Sequence, residues 1–163
     1  MSKFFRKICD CFFLLRIPLL VPVWTILILG WISGNKDAHF GGNWFSTYDA
    51  LHQQNLWIIL TGFSLIVASI YVVNQIVDIE SDRINHKLFL LPHKIISVPT
   101  AWILAGLCAV SGLIIGSLNG WVTFALFASG LLLGFFYNLP PLQLKNHAIG
   151  GVVANVIGHG MLT

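Results

Sequence analysis

From Ile95 to Leu144 the chain carries no Asp, Glu, Lys or Arg. A helix crossing a bilayer needs about 20 apolar residues, so this stretch is too long for one span and suits two. The rest of the chain agrees. Mean hydropathy is +0.82 and only 9% of residues are charged, against about 25% in soluble domains. The fold class that follows is an all-α polytopic membrane protein, because a helix satisfies its own backbone groups inside hydrocarbon.

Four complete spans are expected: Ile17–Ile32, Leu56–Val77, about Ile96–Ser117 and about Trp121–Leu139. The first could begin near Cys11 with Arg16 reaching back to the interface. A fifth starts near Ile149 and is still short of a span at Thr163, so the sequence reads as cut off inside a helix. A secretory signal is excluded at the N-terminus: the apolar stretch after Arg16 is long, no A-x-A-like site follows, and further spans come later. Residues 1–163 are therefore taken as one transmembrane domain, incomplete at its C-terminus.

Basic residues set the orientation. Lys3, Arg6, Lys7, Arg16, Arg83, Lys87, Lys94 and Lys145 fall on one side, and only Lys36 of the nine on the other. The positive-inside rule makes the first side cytoplasmic, in a multi-pass protein of the cell membrane with its N-terminus inside. The net charge of +3 then reflects topology, and no basic patch with interleaved aromatics points to nucleic acid. Cys9 and Cys11 lie on the reducing side, where a disulfide is disfavoured, and Cys108 is a mid-span packing residue. The external loop, 33–55, holds Trp44, Phe45 and Tyr48. With Trp31, Trp57 and Trp121 at outer span ends, these suit an interfacial aromatic belt. Gly106, Gly112, Gly116, Gly130 and Gly134 suit close helix approach.

Chemistry concentrates where the second span ends. Asn74, Asp78 and Asp82 are spaced four apart, and Asp78, Glu80 and Asp82 are three of the six acids. In a helix each four-residue step rises ~6 Å and turns only ~40° past a full circle, so the three share a face while Glu80 points away. Two readings fit: a solvated loop with scattered charge, or a site for a hard divalent cation and phosphate oxygens. Asn74, a turn inside the span, favours the second, since an amide at that depth needs a partner. The second cytoplasmic loop adds Tyr137, Asn138, Pro140-Pro141 and Lys145 on the same membrane face. Taken alone, those are an interfacial Tyr and a positive-inside Lys.

Asn74–Lys87, N-Q-I-V-D-I-E-S-D-R-I-N-H-K, resembles the first aspartate-rich motif of the UbiA superfamily of intramembrane prenyltransferases. Tyr137–Lys145, Y-N-L-P-P-L-Q-L-K, is similar to that superfamily's second cytoplasmic motif as found in its homogentisate prenyltransferase and chlorophyll synthase branches, as are Gly150-Gly151 and Asn155. By that analogy the chain is the N-terminal part of a bundle of roughly nine helices. The resemblance implies Mg²⁺ on Asn74, Asp78 and Asp82, with catalytic roles for Asp78, Asp82, Lys145 and Tyr137. It further implies substrate contacts from Asn74, Arg83, Lys94, Asn138, Arg16 and Asn155. Two departures stand out. Leu88–Lys94 lacks the Arg and Gly usual in that loop, and a second aspartate motif does not occur within these residues.

The implied reaction is Mg²⁺-dependent transfer of a polyprenyl group from a polyprenyl diphosphate to a small aromatic or lipid-pathway acceptor. Charge building on the leaving diphosphate is stabilised by metal and by Lys145. Three competitors are weaker. A phospholipid-headgroup transferase would show D-G…A-R…G…D, which is not visible around Asp78. A transporter half would carry its acids near the bilayer midplane. A non-catalytic membrane protein that retains the fold would have no need of Asn74, Asp78, Asp82 and Lys145 together.

Overall fold

The computed structural model describes residues 3–34, 50–87 and 89–160. Trp44, Phe45, Tyr48 and Lys36 lie outside them. Among the described residues the elements are α1 (Lys3–Leu14), α2 (Val21–Gly34), α3 (Ala50–Val77), α4 (Ile79–Ile84), α5 (Val98–Leu118), α6 (Trp121–Asn138) and α7 (Ala148–Gly160). Four segments are long and apolar enough to cross a membrane: Lys7–Trp31, Leu56–Val77, Val98–Leu118 and Trp121–Asn138.

The first of these is not one helix. Arg16 takes a left-handed backbone conformation, and Ile17–Leu20 forms a single 3-10 turn before α2 begins. Pro18 is the cause: it has no N–H to give Leu14, four residues back. The freed Leu14 carbonyl is buried, and Gln75 Nε2 of α3 donates to it at 2.7 Å. The break is thus sealed from a different helix. Gln75→Leu removes that donor and is expected to cost about 1–3 kcal/mol. A lowered thermal unfolding temperature in detergent would check it; an unchanged one would mean the carbonyl finds another partner.

Helix α3 is the central element, packing on α5 and α6. Its approach to α5 depends on glycine. A Cβ at Gly112 would sit 2.9 Å from the Gly62 carbonyl oxygen and 2.8 Å from Ile66 Cδ1. Gly134 of α6 seats Ile70 of α3 in the same way, 2.5 Å from a virtual Cβ. Gly116 meets Phe127, whereas Gly106 and Gly130 face open space, so those two do not serve helix approach. On α5 the buried stripe is small (Ala101, Ala105, Cys108, Ala109, Gly112, Gly116), while Ile103, Leu107, Val110, Ile114 and Leu118 are exposed. Small-in and large-out is the pattern of a helix whose outer solvent is lipid. Trp57 and Trp121 are likewise exposed, but Trp31 is partly buried.

The α5–α6 hairpin closes through Asn119 and Gly120, whose φ of 108° calls for glycine. Residues 89–97 do not form a loose loop. Leu91 and Ile96 are buried with Leu14, Val72, Val73, Ala101 and Ala105, plugging the end of the bundle where α3 stops.

Candidate active site at the polar end of α3

Residues Asn74 and Asp78 belong to one helical ladder: the Asp78 N–H donates to the Asn74 carbonyl at 3.0 Å. Helix α3 then ends, with Asp78 at φ −89° and ψ 5°, and α4 restarts beyond it. The continuous helix expected through Asp82 is therefore interrupted at Asp78. Asn74 and Asp78 are drawn to one point by Lys145. Its Nζ donates to Asn74 Oδ1 at 3.2 Å and to an Asp78 carboxylate oxygen. Lys145 reaches that point because Gln143 turns left-handed (φ 36°) after the cis Pro140–Pro141 peptide, and a 3-10 turn carries Leu144–Asn146 back under α3.

Asp82 has a different partner. Its side chain is 4% exposed and accepts from Lys87 Nζ at 2.8 Å, while the Lys87 N–H donates to the Asp82 carbonyl at 3.0 Å. Glu80 and Arg83 pair with each other in the open, at 2.8 Å. Lys94 is exposed with φ 56° and is not on the wall of the cavity described next.

Beside Asn74 lies a cavity of about 340 Å³. Phe63, Ile66, Val67, Ile70 and Leu133 make an apolar wall; Arg16, Tyr71, Asn74, Tyr137, Asn138 and Asn155 supply its polar atoms. Asn138 is buried. Its Nδ2 donates to the Gly134 carbonyl at 2.9 Å, and since a carbonyl only accepts, this fixes which way the amide points. Oδ1 is buried and without a protein partner among the described residues. Of the residues expected from sequence, the structure gathers Asn74, Asp78 and Lys145 in one cluster and Arg16, Asn74, Tyr137, Asn138 and Asn155 around one cavity. It leaves Asp82, Arg83 and Lys94 outside both.

Sequence reasoning passed over Tyr71, Lys87 and Phe89. Tyr71 was within reach, since it precedes Asn74 by three and Asp78 by seven, the spacing of one helix face. Phe89, under the Arg16 guanidinium at 4.7 Å, had no periodic signal.

A family model described as the UbiA prenyltransferase family matches residues 38–163. The chain belongs to that family. A similar curated protein is the probable homogentisate phytyltransferase 2, chloroplastic, of Oryza sativa subsp. japonica, 33% identical over 64% of this chain. The UbiA-family chain spans 30% of that relative's length. No solved structure matches it. Both polar clusters fall inside the matched region apart from Arg16, which precedes it.

Proposed function

We propose that residues 1–163 form part of a single transmembrane domain that transfers a polyprenyl group from a polyprenyl diphosphate to an aromatic or other lipid-pathway acceptor, with Mg²⁺ as cofactor. The observation that carries the reading is the convergence of Asn74 Oδ1 and the Asp78 carboxylate on a single cation, the Lys145 ammonium, beside an apolar cavity. Family membership supports prenyl transfer in general.

The donor set fits a divalent cation. Both converging atoms are hard oxygens, and a positive charge already stands at their focus. Asn74 and Asp78 would hold Mg²⁺, with Asp82 a turn further on once freed from Lys87. When bound, the ion would neutralise diphosphate oxygens. The chain's own residues do the rest. Lys145, released from Asp78, turns its donors to the leaving diphosphate as the allylic C–O bond breaks and the electron pair passes to oxygen. Tyr137 and Arg16 border the same space. Phe63, Ile66, Val67, Ile70 and Leu133 hold the prenyl chain and keep water from the allylic cation. A new bond forms to the acceptor, whose proton passes to the departing diphosphate. The positive-inside rule puts this end of the bundle in the cytoplasm.

The deciding assay gives membranes bearing the full chain a labelled allylic polyprenyl diphosphate and a panel of aromatic acceptors. Label should move to an acceptor with Mg²⁺ and stop moving on chelation. Transfer indifferent to chelation would remove the metal from the reading; no transfer to any acceptor would end it.

A further inference from the structure

Helix α1 is built differently from the helix that follows it. Lys3–Leu14 holds Lys3, Arg6, Lys7 and Asp10 among apolar residues, whereas Val21–Gly34 holds no charge at all. At about 100° per residue, those four polar positions share an arc of about 100°, and Phe5, Ile8 and Phe12 fall opposite. Ile8 and Phe12 are each 51% exposed, and Lys7 is exposed without a carboxylate partner among the described residues. A helix with aromatic and aliphatic residues on one side and Lys and Arg on the other suits the boundary between headgroups and acyl chains.

The span does not need α1. The 3-10 turn and α2 together run Ile17–Gly34. At about 2.0 Å per residue in the turn and 1.5 Å in the helix, that is about 29 Å, the thickness of a hydrocarbon core. The left-handed residue Arg16 separates α1 from this segment, so α1 is free to take another direction. Continued straight out of the bilayer, α1 would carry Ile8, Phe12 and Phe13 into water. Laid along the surface, it sets its apolar arc among acyl chains and leaves Lys7 and Asp10 at the headgroups. Its attachment to the bundle is at its last turn. Among the described residues, the core cluster takes only Cys11 and Leu14 from α1, packed with Val72, Val73 and Leu91 where α3 stops. Leu14 falls in the polar arc by register, yet the core claims it, and this fixes α1 beside the polar end of α3.

We propose that α1 is an interfacial helix that docks on the anionic phospholipid surface of the leaflet at the polar end of α3. The chemistry of the partner follows from charge: three basic residues against one acid give α1 a net charge of +2, which a phosphodiester surface complements. This docking is independent of prenyl transfer and stands whether or not the chain carries out that reaction.

Two measurements on the full chain test it. For the first, the chain with Cys9→Ala, Cys11→Ala and Cys108→Ala is placed in vesicles containing phosphatidylglycerol, and a nitroxide is attached in turn at Lys7→Cys, Ile8→Cys, Asp10→Cys and Phe12→Cys. Ile8 and Phe12 labels should be reached by oxygen, and Lys7 and Asp10 labels by a water-soluble nickel chelate. All four in the acyl region would make α1 part of the span, and all four in water would leave it off the membrane. Ile8 and Phe12 labels reached by neither reagent would mean that protein covers this face. Each of these three patterns would overturn the proposal. The second keeps the native cysteines and follows thermal unfolding in detergent as phosphatidylglycerol is added. The lipid should stabilise the wild-type chain, and the concentration giving half the effect should rise at least about tenfold in Lys3→Gln/Arg6→Gln/Lys7→Gln. In about 1 M salt the two proteins should respond alike, and phosphatidylcholine should not distinguish them at any salt. A triple variant that keeps the wild-type response to phosphatidylglycerol would overturn the proposal.

Discussion

Asp78→Ala in the full chain is expected to lower prenyl transfer by about 10²–10³-fold, the scale seen when a preorganised electrostatic contact to the developing charge is removed. Among the described residues the carboxylate is the one acid paired with Lys145, beside Asn74. Its loss removes a hard ligand for the metal and leaves Lys145, 14% exposed, without its counter-ion. Asp78→Asn separates these two effects: the amide oxygen can still accept from Lys145, but the charge is gone. Activity should stay low in Asp78→Asn while the thermal unfolding temperature stays near wild type. Measured turnover within tenfold of wild type in either variant would mean that the metal is held elsewhere.

A large effect on stability is expected from Gly112→Ala. A methyl group there meets the Gly62 carbonyl at 2.9 Å, which is backbone and cannot rotate away, so α3 and α5 must separate. Overpacking of this kind costs about 1–3 kcal/mol. The partner experiment is Gly134→Ala, where the obstruction is the Ile70 side chain alone. Ile70→Ala should rescue Gly134→Ala, whereas Ile66→Ala should not rescue Gly112→Ala. Gly106→Ala and Gly130→Ala, with open space around them, serve as controls and should unfold like wild type. Thermal unfolding in detergent reads all of these, and a wild-type Gly112→Ala would show that the helices are not in contact there.

Much of the helical layout was readable before any coordinates, because long apolar runs admit one solution in lipid. Leu56–Val77 and the start of the fourth span at Trp121 fall where expected. The break at Arg16 did not show, although Pro18 was in plain sight. Whether a proline kinks a span or stops it depends on who satisfies the orphaned carbonyl, and here that partner, Gln75, comes from α3. The charged stretch of about 78–95 between the second and third spans reads from the sequence as a cytoplasmic loop. Its Leu90 and Leu91 instead enter the core, a choice set by the space left at the end of the bundle.

For the site, spacing located the polar end of α3 and the motif pair located Lys145, since local periodicity and topology both survive translation into one dimension. Spacing alone could not tell Asp78 from Asp82. Both sit on the same helical repeat, yet one pairs with Lys145 and the other with Lys87. That difference arises because the left-handed turn at Gln143 brings Lys145 to Asp78, while Lys87, five residues after Asp82, turns back onto it. The composition, the spans and the family belong to the sequence, because burial in lipid and a motif's residue order are properties of the chain read along its length. Which carboxylate pairs with Lys145 beside Asn74, and that the Arg16 guanidinium stands over the Phe89 ring, came from packing alone, because a charge's partner is decided by what folds against it.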